Sequence, residues 1–149
     1  MHHFSLLNAF LFCIYHVARL EAAGAHDFSL IFNNKPSKNW VVLVAGSDSW
    51  INYRHQDVNP DVFAKVLKGD EKLEKKGKKV LKSGPDDNIF IYYTGHGAVH
   101  SISFPVGSLN AAEFNDVLAS MYSNRMYNEL VVYMDACYSG SMFRDLLPP

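Results

Sequence analysis

The stretch LVVYMDACYSGSMF, Leu130 to Phe143, decides how this chain is read. Five apolar residues run into Asp135, Ala136 and Cys137, and then into small turn residues. Two other runs have the same character: WVVLVA from Trp40 to Ala45 and IFIYY from Ile89 to Tyr93. None of the three alternates apolar with polar. Continuous runs rich in β-branched and aromatic residues suit strands buried on both faces, as in a parallel sheet with helices above and below it. The expected fold class is therefore α/β, with a mainly parallel sheet and helices on both faces.

The segments between the runs supply the helices. Asn110 caps one in which Phe114, Val117, Leu118, Met121 and Tyr122 recur at the spacing of a single buried face. A shorter helix starts where Asn59 precedes Pro60, with Val62, Phe63, Val66 and Leu67 as its apolar side. The turn Gly84-Pro85-Asp86-Asp87 leads into the second strand.

A chain of 149 residues, 48% hydrophobic and 19% charged, is expected to form one globular domain. Its formal net charge of -1 gives no electrostatic ground for a nucleic-acid partner. Lysines crowd between Lys65 and Lys82, which reads as a solvated loop and helix face. At the start, the apolar run Phe4 to Ala18, followed by a polar patch and small residues, has the layout of a secretory signal over residues 1–25, cleaved after Ala23 or Ala25. The run is short for a bilayer span, which takes roughly 20 apolar residues, so no stable membrane anchor is expected. Cleavage would remove Cys13 and leave Cys137 unpaired, an unusual state in an oxidising compartment unless the thiol is kept for its reactivity. Residues 26–149 then form a single partial domain.

The second strand continues as IFIYYTGHG, placing His96 just past its carboxyl end between Gly95 and Gly97. Cys137 lies just past the carboxyl end of the third. Parallel strands joined by a crossover helix have those ends on one edge, where ligands bind in open α/β sheets. An unperturbed thiol, with a pKa of roughly 8.5, is mostly protonated near neutrality, and a neighbouring imidazole can take its proton or stabilise the thiolate. Glycines beside the histidine let backbone approach a substrate. The N–H groups of Gly97 and Cys137 are placed to meet a developing oxyanion, an interaction whose loss costs about 3 kcal/mol of barrier. One cysteine with scattered histidines lacks the repeated close spacing of a zinc site. No metal and no cofactor are expected.

NWVVLVAGSDSWINYRHQ (Asn39 to Gln56), KVLKSGPDDNIFIYYTGHG (Lys79 to Gly97) and MYSNRMYNELVVYMDACYSGSMF (Met121 to Phe143) resemble the legumain, or asparaginyl endopeptidase, family, whose members share a caspase-like α/β sheet. The resemblance implies that Cys137 is the nucleophile and His96 the proton-transfer partner. It implies further that Asn52 supports the histidine, that Gly97 contributes to the oxyanion hole, and that Arg54, His55 and Asp135 line a pocket for an asparagine side chain. An amide needs both a donor and an acceptor, and arginine and aspartate offer them. Proteins and peptides containing asparagine are the implied substrates, a cystatin-type inhibitor the implied partner, and the lysosome, the vacuole or the extracellular space the implied setting.

The pattern also departs from the family. Gly95 stands where legumains usually place aspartate, and Thr-Gly-His-Gly is the form seen in the related GPI-anchor transamidase subunit. Asp135 is one methylene shorter than the usual glutamate. After Gln56 the chain goes directly to Asp57-Val58-Asn59-Pro60, where the family continues through a further helix and strand, and it is expected to lack the later strands and pro-region beyond Pro149. Two other functions fit these departures: a catalytically silent binding module on the family scaffold, and a transamidase-like enzyme.

Overall fold

A computed structural model of the chain describes residues 38–45, 53 and 55–144. The expected signal segment, Cys13 and the GSDSW stretch after Ala45 lie outside the described residues.

Three strands form the main sheet: β1 (Asn39–Ala45), β2 (Asn88–Thr94) and β6 (Glu129–Asp135), in the order β1-β2-β6 and all parallel. Each is slightly longer than its apolar run, because flanking polar residues continue the ladder. In register, Ala45, Thr94 and Asp135 sit side by side at the carboxyl edge, and Asn39, Asn88 and Glu129 at the other. That second edge is closed by polar side chains. Asn128 donates to Asn88, which donates to Asn39, at 3.3 and 3.2 Å. The preceding turn is braced by Asp87, whose carboxylate accepts from the Trp40 indole, the Gly84 amide and the Lys38 amide at 3.0, 3.0 and 3.3 Å.

Helix α1 (Pro60–Leu67) begins as the sequence predicts, with the Asn59 side chain accepting from the Val62 amide and proline in the first turn, where its missing N–H costs nothing. A short helix α2 (Glu71–Lys75) buries none of its residues, so the lysine-rich segment is a solvated face as expected. Helix α3 (Ala111–Ser123) is opened by a reciprocal cap between Asn110 and Glu113. It buries Ala111, Phe114, Val117 and Met121. Tyr122, expected on that face, is 72% exposed; it occupies the margin of the stripe in the last turn, where its ring meets Tyr127 at 6.5 Å instead of the core.

Between β2 and α3 lies a small antiparallel sheet with no apolar pattern in the sequence to announce it: β3 (Gly97–Ala98), β4 (Ser101–Ser103) and β5 (Ser108–Asn110). Its Ile102 and Leu109 point into the core.

That core lies on one side of the main sheet. Val44, Ile89, Ile91 and Tyr93, with partly buried Trp40, Val42, Leu130, Val132 and Met134, pack with Phe63, Leu67, Phe114, Val117 and Met121 of α1 and α3. All the sheet residues in this set share one parity, hence one face. The parallel sheet and its helices agree with the expected class. The helices on the second face do not appear among the described residues: there Val41, Leu43 and Tyr133 are 42%, 37% and 55% exposed, and Phe90 alone of the apolar strand residues is fully covered, with the Tyr133 ring edge-on at 5.2 Å.

Candidate active site

The carboxyl edge of the main sheet gathers the two segments that the sequence marks for chemistry. The ladder between β2 and β6 runs one step past Thr94, with the Gly95 amide donating to the Asp135 carbonyl at 3.1 Å. This bond ties the backbone just before His96 to that just before Cys137. Gly97 then passes so close to the second segment that a Cβ on it would lie 2.2 Å from the Cys137 carbonyl oxygen and 3.1 Å from the Ala136 side chain. Only glycine fits there without displacing backbone. His96 and Cys137 therefore stand on the same rim, each exposed to solvent.

Each segment is held from below. The Tyr93 side chain, 1% exposed, brings its hydroxyl to the carbonyls of His96 at 3.0 Å and Ser103 at 2.5 Å. Burial raises the Tyr93 phenol above its ordinary value, so it serves as a neutral donor. The His96 carbonyl also accepts from the Ser103 amide at 2.9 Å. After Cys137, Tyr138 adopts a left-handed backbone, φ 56°, and the chain enters a 3-10 turn, Ser139–Met142. Met142 is buried in the core and the Phe143 ring meets Phe114 at 6.2 Å. Strand end, sharp turn and buried anchor together leave the thiol at the apex.

Asp135 ends β6 at the same edge, on the parity opposite to the core face, and is exposed. Asn52 and Arg54 lie outside the described residues, and so does the side chain of His55, whose backbone starts a short 3-10 turn, His55–Asp57. Of the seven residues named from the sequence, the structure thus brings four together: His96, Gly97, Asp135 and Cys137. Tyr93 carries no such signal in the sequence, because its place inside an apolar run hides its polar tip. Ser141 and His100 are equally silent, since a lone histidine between Val99 and Ser101 carries no pattern. Among the described residues, no helix is long and apolar enough to cross a membrane.

Residues 55–149 match the model of the peptidase C13 family. The chain is 45% identical over 118 residues to a hemoglobinase of Schistosoma mansoni, covering 79% of this chain and 26% of that protein. It is 47% identical over 116 residues to the vacuolar-processing enzyme delta-isozyme of Arabidopsis thaliana, covering 76% and 24%. With legumain of Rattus norvegicus it shares 33% identity over 186 aligned positions, covering 83% and 43%. Those 186 positions outnumber the 149 residues here, so the rat protein carries internal sequence that this chain lacks. The chain spans between about a quarter and two-fifths of the length of these relatives. With a family model matched across most of its length and relatives of this similarity, the chain belongs to the peptidase C13 family, the family of the legumains.

Proposed function

We propose that this chain is a cysteine endopeptidase that cleaves protein chains after asparagine, with Cys137 as nucleophile and His96 as its proton-transfer partner. The observation that carries the reading is the seating of Gly97 against the Cys137 carbonyl, which fixes the histidine segment beside the cysteine segment at the carboxyl edge of a parallel sheet. Membership of the family and the names of the relatives, legumain and vacuolar-processing enzyme, support the same chemistry and a lysosomal, vacuolar or secreted setting.

In the first half-reaction His96 takes the thiol proton, and the Cys137 sulfur attacks the carbonyl carbon after asparagine. Backbone N–H groups at Gly97 and Cys137 meet the oxyanion. The C–N bond breaks, the leaving amine takes the proton from the imidazolium, and a thioester remains. In the second, His96 draws a proton from water, the hydroxyl adds to the thioester, and the C–S bond breaks to return the thiol and release the acid. Asp135, at the same edge, accepts from the asparagine amide, while Arg54 and His55 complete the pocket and Asn52 orients His96.

The deciding experiment incubates the purified chain at acidic pH with an asparagine-containing peptide and with a thiol-directed asparaginyl probe. Turnover and stoichiometric labelling, both abolished in Cys137→Ser, are expected; an intact thiol that neither labels nor cleaves overturns the reading. A second reading, a catalytically silent binding module, is favoured by the exposed apolar residues Val41, Leu43 and Tyr133. It requires Cys137→Ser to leave the chain's biological effect unchanged.

A further inference from the structure

We infer that His100 is a positioning residue for the turn that carries Cys137, clasping Ser141 from the segment that follows His96. The inference rests on the endopeptidase reading for its effect on rate, but not for the clasp itself.

His100 sits in the turn between β3 and β4 with φ 59°, a left-handed backbone that a non-glycine residue adopts only where surrounding contacts hold it. Three contacts hold it here. Its carbonyl accepts from the Ala111 amide at 2.9 Å, at the first residue of α3. Its own amide donates to the Ser141 hydroxyl oxygen at 2.7 Å, and its imidazole Nδ1 lies 2.9 Å from the Ser141 carbonyl oxygen. A carbonyl can only accept, so Nδ1 carries the hydrogen. One residue thus grips Ser141 at two points, from main chain and side chain together.

Ser141 passes the grip on. Its hydroxyl hydrogen donates to the Tyr138 carbonyl at 2.7 Å, while a lone pair accepts from His100. The Ser141 amide donates to that same carbonyl at 2.8 Å. Tyr138 directly follows Cys137 and is the other left-handed residue at this rim, φ 56°. Two strained residues, one in each segment, are therefore joined through a single serine. With Gly97 against the Cys137 carbonyl, this gives the histidine and cysteine segments a second point of attachment, and rotation of one against the other is blocked.

The test compares His100→Gly, His100→Asn and Ser141→Ala in the full chain. Glycine keeps the left-handed backbone and the amide donor but loses the imidazole. Asparagine tolerates the same backbone and offers a side-chain N–H. The first readout, amide hydrogen exchange at Ser139 and Ser141, needs no activity. His100→Gly and Ser141→Ala are expected to speed it about five- to tenfold, the equivalent of one net hydrogen bond, with His100→Asn in between. The second readout is hydrolysis of an asparagine-containing peptide, where kcat is expected to fall by a similar factor with KM unchanged, and to be partly restored by asparagine. Exchange in His100→Gly matching the unmutated chain overturns the clasp. Faster exchange with an unaltered kcat overturns the positioning role. An unmutated chain without any turnover refutes the endopeptidase reading and, with it, the effect on rate, while the exchange readout still decides the clasp.

Discussion

The hydroxyl of Tyr93 stands 3.0 Å from the carbonyl oxygen of His96 and 2.5 Å from that of Ser103, so one buried phenol joins the end of β2 to β4 directly beneath the histidine. Tyr93→Phe keeps the ring and its packing on Phe104, at 5.9 Å, and removes only this link. Expected is a loss of about 1–2 kcal/mol of stability in denaturant unfolding, the cost of leaving a buried acceptor short of its partner, together with a lower kcat. Unchanged stability would show that the phenol does not support the loop.

Gly97→Ala tests the rim directly. The added methyl would fall on the Cys137 carbonyl oxygen, a backbone atom that cannot swing aside as a flexible side chain would. The two segments must separate, which costs about 1–3 kcal/mol of stability and displaces the thiol from the histidine. Rates of Cys137 labelling by the asparaginyl probe are expected to collapse more than rates with a small neutral alkylating agent. Equal falls with both reagents would point to global loosening instead.

The opposite edge of the sheet predicts an acid sensitivity. Burial works to raise the Asp87 carboxyl, but hydrogen bonds from the Trp40 indole and the Gly84 and Lys38 amides outweigh it and hold the group below its ordinary value. A carboxyl depressed in the folded state stabilises fully above its unfolded value, about 3.9, and the contribution fades as pH falls through the lower folded value. The side chain is only partly buried, so solvent screens it and the effect is modest. Asp87→Asn is expected to melt below the unmutated chain at pH 7, with the gap narrowing below about pH 4. A gap of constant size between pH 7 and pH 3 would exclude this account.

How much of this was legible depended on whether the signal was local. The three parallel strands are written in uninterrupted apolar runs, and the caps at Asn59 and Asn110 in side chains that satisfy amides three residues on. The rim followed from the strands, because parallel connection leaves His96 and Cys137 no other edge. The β3 to β5 sheet was invisible: strands of two or three residues built from Gly97, Ala98, Ser101 and Ser108 have neither apolar periodicity nor strong strand propensity, and pairing rather than composition makes them strands. His100, Ser141 and Tyr93 were equally hidden, since each acts through a contact between segments far apart in sequence. At Val41, Leu43 and Tyr133 the second face is open among the described residues, since an apolar run states that burial is preferred and does not say which segment provides it.

β1 and β2 carry residues of equal apolar character on opposite faces of the sheet. Ile91 is 1% exposed within the core shared with α1 and α3, whereas Leu43 is 37% exposed on the face where no described helix lies. Ile91→Ala removes fully buried methyl groups and leaves a cavity, at a cost of about 2–5 kcal/mol. Leu43→Thr keeps a strand-favouring shape at a site already in contact with water, and a change within about 0.5 kcal/mol is expected. The two are measured together by urea unfolding of the same chain, where a domain of this size is expected to hold about 5–15 kcal/mol in all, so the contrast is well above error. A Leu43→Thr loss approaching that of Ile91→Ala would mean that the second face is covered in solution, and that the sheet is closed on both sides after all.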